Sequence, residues 1–168
     1  MFYILKSTYL FRKTWGLRDG SVSNEEIVSS ELTHPLFELS RSFAIIGRNI
    51  RRPDYTEVFK LIAFELDEWL WNRLVLVRDF GRFGANQLVI DFEKGICGSV
   101  RTWVRHPERY LPRIRDVCTI FKAIEQGVVT RKQLESELRS RAASAIMDEL
   151  GIYKLSKEEV LDVASRRM

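Results

Sequence analysis

Residues 75–92 read "VLVRDFGRFGANQLVIDF", and the reading of their Gly-Arg-Phe-Gly centre decides the fold. A β-hairpin would place Gly81 and Gly84 in the turn. A KH-type loop would use Gly81-Arg82-Phe83-Gly84 as the GxxG that clamps a nucleic-acid backbone. A corner between two helices would use the glycines to stop one helix and start the next. The hairpin needs alternation on both flanks, and Leu74-Val75-Leu76-Val77 has none. Upstream, Val58, Phe59, Ile62, Leu66, Trp69, Leu70, Leu74 and Val77 recur at steps of three and four. Downstream, Leu88 or Val89, Phe92, Ile96, Val100 and Trp103 form a second stripe, ended by the His106-Pro107 step. Both flanks are therefore ends of helices of about 20 residues, beyond ordinary strand length. The spacing predicts helix–corner–helix, with residues 79–84 non-helical, Gly81 as a left-handed cap and Gly84 restarting the chain. The KH reading further needs three strands, and the pattern offers none.

Working outward, Leu36, Leu39, Phe43 and Ile46 continue the helical steps toward the N-terminus, and Pro53 separates that helix from the next, capped by Asp54 or Thr56. Residues 16–33, with two glycines and a Ser/Asn/Glu cluster, read as a loop. Toward the C-terminus, Leu111, Ile114, Val117, Cys118, Phe121 and Ile124 make a stripe that stops at Gly127. Thr130 with Gln133 is a capping-box pair opening a helix through Leu134, Leu138, Ala142, Ala145, Ile146 and Leu150, with Gly151 at its end. Ser156 with Glu159 repeats the device before Val160, Leu161 and Val163. The fold class is all-α, a bundle of six or seven helices over residues 36–168, preceded by a partly irregular segment 1–35.

The 168-residue chain is long enough for one domain with a real core, and its 45% apolar and 30% charged residues are those of a globular protein. A net charge of +4 permits nucleic acid or an anionic membrane as partner and requires neither. Two cysteines, Cys97 and Cys118, are too few for a disulfide framework or zinc site and read as buried thiols of a cytosolic protein. No run approaches the roughly 20 apolar residues of a membrane span, so any membrane role is peripheral.

Chemistry-bearing groups are sparse. Glu65, Asp67 and Glu68, with Asp91 and Glu93 on the next helix, suggest a carboxylate bundle. The only histidines, His34 and His106, precede prolines at helix boundaries, so a di-iron site lacks ligands. The Gly-rich corner has no lysine for a phosphate loop. No catalytic site, cofactor or metal is expected. The stretch "RTWVRHPERYLPRIR" sets Arg101, Arg105, Arg109, Arg113 and Arg115 against one Glu108, with Trp103 and Tyr110 interleaved, and Arg48, Arg51 and Arg52 form a second cluster. Such a pattern suits phosphate contact and base stacking. Its off-stripe spacing suits a solvated face better. Trp71 points away from the stripe that carries Trp69, either to an exposed interface or against a neighbouring helix.

Two longer stretches carry a resemblance. "ELDEWLWNRLVLVRDFGRFGANQLVIDFEKGI" (65–96) and "RHPERYLPRIRDVCTIFKAI" (105–124) resemble the C-terminal part of the RINT/TIP proteins, subunits of a Dsl-type vesicle tether at the endoplasmic reticulum. Phe83 or Phe80, Gly84, Ala85, Gln87, Asp91 and Phe92 fill the places of the family's corner, Tyr110, Arg115, Cys118 and Leu134 fit a later stretch, and "LSKEEVLDVASRRM" resembles its terminal helix. The match spans about residues 36–168, while such proteins carry long N-terminal helical regions in addition. The resemblance implies a tether-type (CATCHR-like) helical rod end in Golgi-to-ER retrograde transport. It also implies contacts with ER SNAREs or other tether subunits, a cytoplasmic location peripheral at the ER membrane, and no catalysis. Gly81, Gly84 and Ala85 are then structural corner residues, with Gln87 and Asp91 satisfying backbone groups of the corner. Trp71, Arg101, Arg105 and Arg109 are the candidate partner contacts. No nucleic acid is expected; the alternative is a helical nucleic-acid binder using the Arg101–Arg115 cluster.

Overall fold

The computed structural model describes residues 27–140 and 143–167, and within them the fold is all-α with no strand. The N-terminal segment up to residue 26 and Ala142 lie outside the described residues. The helices are α1 (Ser30–Asn49), α2 (Arg52–Arg73), α3 (Arg82–Ile90), α4 (Cys97–Val100), α5 (Pro112–Glu125), α6 (Arg131–Arg139), α7 (Ala143–Leu150) and α8 (Lys157–Arg166). A π-helical turn, Asp91–Ile96, joins α3 to α4 without a break, and single 3₁₀ turns occupy Val75–Val77 and Pro107–Tyr110.

α5 is the central helix. It packs against α2, α3, α7 and α8, and Ile114, Val117, Ile120 and Phe121 on it are fully buried. α1 lies across α2, the π turn and α4 and buries Leu32, Pro35, Leu39 and Phe43. α6 closes the far end against α7 and α8 through Leu134 and Leu138. Both capping boxes form as the sequence predicts. The Thr130 hydroxyl accepts from the Gln133 N–H (3.2 Å), and the Ser156 hydroxyl accepts from the Glu159 N–H (3.2 Å). Gly127 and Gly151 adopt φ of 69° and 74°. The N–H of the next residue returns to the carbonyl five back in each case, Val128 to Ala123 and Ile152 to Met147. Both ends are Schellman-type stops.

Several boundaries differ from the sequence reading. α1 begins at Ser30, so residues 30–33 are helical, and His34 and Pro35 lie inside the helix rather than at its edge. Pro53 sits in the first turn of α2, where its missing N–H is one no helix would use, and Arg51 rather than Asp54 or Thr56 precedes that helix. The predicted helix from Thr130 to Leu150 is two helices. Ser140 is extended (φ −81°, ψ 177°), and both its N–H (3.0 Å) and its hydroxyl (2.6 Å) donate to the Glu137 carbonyl, competing with the helical bond. The stripe Leu88, Phe92, Ile96 and Val100 advances by four at each step. At 3.6 residues per turn, three such steps drift by about a third of a turn; the wider π turn takes up that drift and keeps all four buried. Trp103 falls past the end of this helix and does not extend its stripe.

Candidate interaction surface

The corner is narrower than residues 79–84. Only residues 78–81 are non-helical between the Val75–Val77 turn and α3. Gly81 is the residue before α3, at φ −66° and ψ 169°, so it is not a left-handed cap; Gly84 is buried inside α3 with Ala85. Phe80 is the anchor. It is fully buried 5.1 Å (ring centroids) from Phe121, and its N–H donates to the Arg166 carbonyl (2.7 Å), tying the corner to the end of α8. Phe83 is exposed. Gln87 and Asp91 do satisfy backbone groups, but not those of the corner. Asp91 accepts from the Ser29 N–H (2.7 Å) and hydroxyl (2.6 Å), and the Gln87 amide donates to the Ile27 carbonyl (3.0 Å) and to Asp91 (2.9 Å). Together they fix the start of α1 on α3 and the π turn that follows it.

Two further buried acids work in the same way. Asp67 accepts from the Arg113 and Ile114 N–H groups, 3.0 Å each, and so caps α5 from α2. Burial pushes its carboxyl upward and the two backbone donors oppose this. Asp116, wholly buried on α5, accepts from the consecutive N–H groups of Tyr153, Lys154 and Leu155 (3.0, 2.6 and 3.2 Å), which pins the α7–α8 connection. The acid cluster noted in the sequence is thus structural where it is buried. Glu93 is paired with Lys122. Among the described residues no group of His, Cys, Asp and Glu is placed to hold a metal.

Cys97 and Cys118 are free and buried, and both line a groove of about 720 Å³ between α4, α5 and α7. Burial pushes the Cys97 thiol up to about 12 and the Cys118 thiol well above its ordinary range. Both therefore stay protonated at neutral pH, and a thiol is neither the nucleophile nor the metal ligand that a thiolate is.

The arginine run divides. Arg113 pairs with Glu68 (3.0 Å) and lies 5.4 Å from the centre of the Trp71 ring, and Arg115 pairs with buried Asp116 (2.7 Å) beside Tyr153. Arg113 thus joins α5 to α2, and Arg115 stays on α5 beside the α7–α8 connection. Arg101, Arg105 and Arg109 are exposed, and of them Arg101 reaches Glu108 at 3.7 Å. Trp71 is only 3% exposed. It takes the second of its two sequence placements, against α5 under Arg113, and is not a surface contact.

Exposed apolar side chains that sequence reasoning missed include Tyr153, Val128 and Val77, the last placed on the stripe, and a group on the outer faces of the first two helices. On α2, Leu61 is 70% exposed and Phe64 60%, one turn apart; on α1, Phe37 and Ile45 are exposed. The stripe residues drew attention to the buried face, and the signal for the outer one was the position of Leu61 and Phe64 between stripe positions. Among the described residues the geometry offers an exposed apolar helix face and no grouping of side chains that could hold a metal.

Comparison with known proteins agrees with the resemblance and extends it. The family model described as "RINT-1/TIP-1 family" matches residues 5–167, and so takes in most of the first 35 residues as well. The chain is 29% identical over 118 residues to the RINT1-like protein MAG2 of Arabidopsis thaliana, covering 70% of this chain and 14% of that protein. It is 21% identical over 165 residues to a RINT1-like protein of Drosophila melanogaster, covering 97% of this chain and 23% of that protein. The chain thus spans less than a quarter of the length of these relatives. No solved structure matches it. With the family model covering almost its whole length, the chain belongs to the RINT-1/TIP-1 family.

Proposed function

We propose that this chain is a non-catalytic protein-interaction module, the C-terminal part of a vesicle-tethering subunit in Golgi-to-ER retrograde transport. It contacts an ER SNARE or another tether subunit, in the cytoplasm and peripheral at the ER membrane. The observation that carries the reading is the outer face of α2. On a chain of this family, Leu61 and Phe64 stand exposed at i and i+3, the spacing by which a helix docks on an apolar groove or another helix. Support also comes from the inventory of reactive groups, since the acids are structural caps and the thiols stay protonated. No helix among the described residues is long and apolar enough to cross a membrane, which fits a peripheral attachment through partners. The nucleic-acid reading loses two of its five arginines to contacts inside the domain, Arg113 to Glu68 on α2 and Arg115 to its buried neighbour Asp116.

Co-precipitation from an ER membrane extract, with this region in its full-length subunit, tests the reading. It should recover tether subunits or SNAREs. The recovery should fall by about tenfold or more in Leu61→Asp/Phe64→Asp, because one well-packed apolar anchor is worth about 2 kcal/mol in an interface. Recovery of ribonucleoproteins, or of nothing, would overturn it.

A further inference from the structure

The segments that carry the two arginine clusters, far apart in sequence, meet at one pocket. Gly47 and Ile50 at the end of α1, with Tyr55 at the start of α2, form one side of a pocket of about 550 Å³; Arg101, Trp103 and Arg105 form the other. Arg48 and Arg51 alternate with those wall residues along the α1–α2 elbow and are exposed. Among the described residues, the side chains of Arg48, Arg51 and Arg105 have no ion-pair or hydrogen-bond partner. The acids of the elbow and facing loop are mostly engaged. Glu57 is held by Lys60, and Glu108 by Arg101 and His106, leaving Asp54 in the first turn of α2.

The pocket's walls are not only basic. Trp103 is seated against the elbow, because the Cβ of any residue replacing Gly47 would stand 2.8 Å from its ring. Its ring centre lies 6.1 Å from that of Tyr55. Its outer part remains 37% exposed, beside Ile50 at 36%. Tyr55 adds a hydroxyl that is buried without a hydrogen-bond partner and that burial keeps protonated, a donor lacking an acceptor. Guanidinium groups flanking an indole and an aliphatic side chain are the composition of a membrane–water boundary, where the cations meet headgroup phosphates and the ring sits at headgroup depth. A single-stranded nucleic acid would use the arginines and the indole, but Ile50 offers a base nothing to stack on.

We propose that this pocket binds the phosphate of an anionic lipid headgroup and sets the α1–α2 elbow directly against a membrane surface. The test is co-sedimentation of the full chain with vesicles of phosphatidylcholine carrying phosphatidylserine, against phosphatidylcholine alone, with single-stranded RNA as a further arm. Binding should require the anionic lipid and weaken as salt rises. Each basic residue near such a surface contributes about fivefold, so Arg48→Glu/Arg105→Glu should bind at least about tenfold more weakly. Lys132→Glu/Arg139→Glu changes the net charge equally on exposed α6 positions and should bind nearly as the parent does. Circular dichroism should show both variants folded. Equal binding to uncharged vesicles, an equal loss in the α6 variant, or tighter binding to RNA at the same salt would overturn the proposal.

Discussion

α2 and α5 pack against each other, yet only α2 of the two leaves bulky apolar side chains exposed. On α5 the apolar side chains Ile114, Val117, Ile120 and Phe121 are fully buried, and even the acid Asp116 is enclosed and matched to three N–H donors. On α2 the inner face is equally well buried through Phe59, Leu66, Leu70 and Trp71, while Leu61 and Phe64 on the outer face meet solvent. Single exposed apolar side chains are ordinary on protein surfaces. Two bulky ones a turn apart, on a helix whose other side is complete, mark a face that is not needed for folding. The difference teaches that α5 is where this domain is made, and it leaves the outer face of α2 open for the contact proposed above.

That contrast is broken most readily at Asp116. Its removal leaves three backbone donors, one buried and two partly buried, and Arg115 without their acceptor, and breaking a network around a buried charge costs about 3–5 kcal/mol. Asp116→Ala should therefore lower stability in a urea titration by about 3 kcal/mol or more; a loss under about 1 would mean that the α7–α8 connection is held by other means. The arginine run sharpens the same contrast at smaller scale. Arg113→Ala removes an ion pair and a guanidinium–indole contact and should cost about 1–2 kcal/mol. Arg105→Ala, at an exposed position with no partner, should stay within about 0.5 kcal/mol of the parent. Equal effects at the two positions would erase the division between joining and exposed arginines. Glycines provide a third pair. Gly151→Ala forces a Cβ into the left-handed region and should cost about 1 kcal/mol. Gly81→Ala, in an extended conformation open to any residue, should cost less than about 0.5 in the same titration.

The glycine pair also shows what was legible in the sequence. Gly127 and Gly151 were placed correctly because each ends a periodic stripe, and a stripe that stops at glycine has one common physical solution. Gly81 also follows a stripe, but the α2 helix ends earlier, at Arg73, and a 3₁₀ turn intervenes, so the glycine serves the next helix. The capping boxes were legible because the two partners are three residues apart. The caps made by Asp67, Asp91 and Asp116 were not, because each acid serves an N–H from a distant element: Arg113, Ser29 and Tyr153. Trp71 and the arginines were mixed for the same reason. Periodicity says which side chains leave a stripe, but whether they meet solvent or a neighbouring helix depends on tertiary packing. Leu61 and Phe64 escaped notice because a stripe drawn through α2 already accounted for a complete buried face.

The most direct test of the account is photo-cross-linking from position 61. A photoreactive residue there, in the full-length subunit and in the presence of ER membranes, should give a discrete protein adduct. Phe64→Asp should abolish it, while the unfolding free energy of this domain should change by less than about 0.5 kcal/mol, the range of exposed substitutions. A photoreactive residue at the exposed Lys132 on α6 should give none. No protein adduct from position 61, or the same adducts from positions 61 and 132, would contradict the claim that the outer face of α2 is where this chain meets its partner.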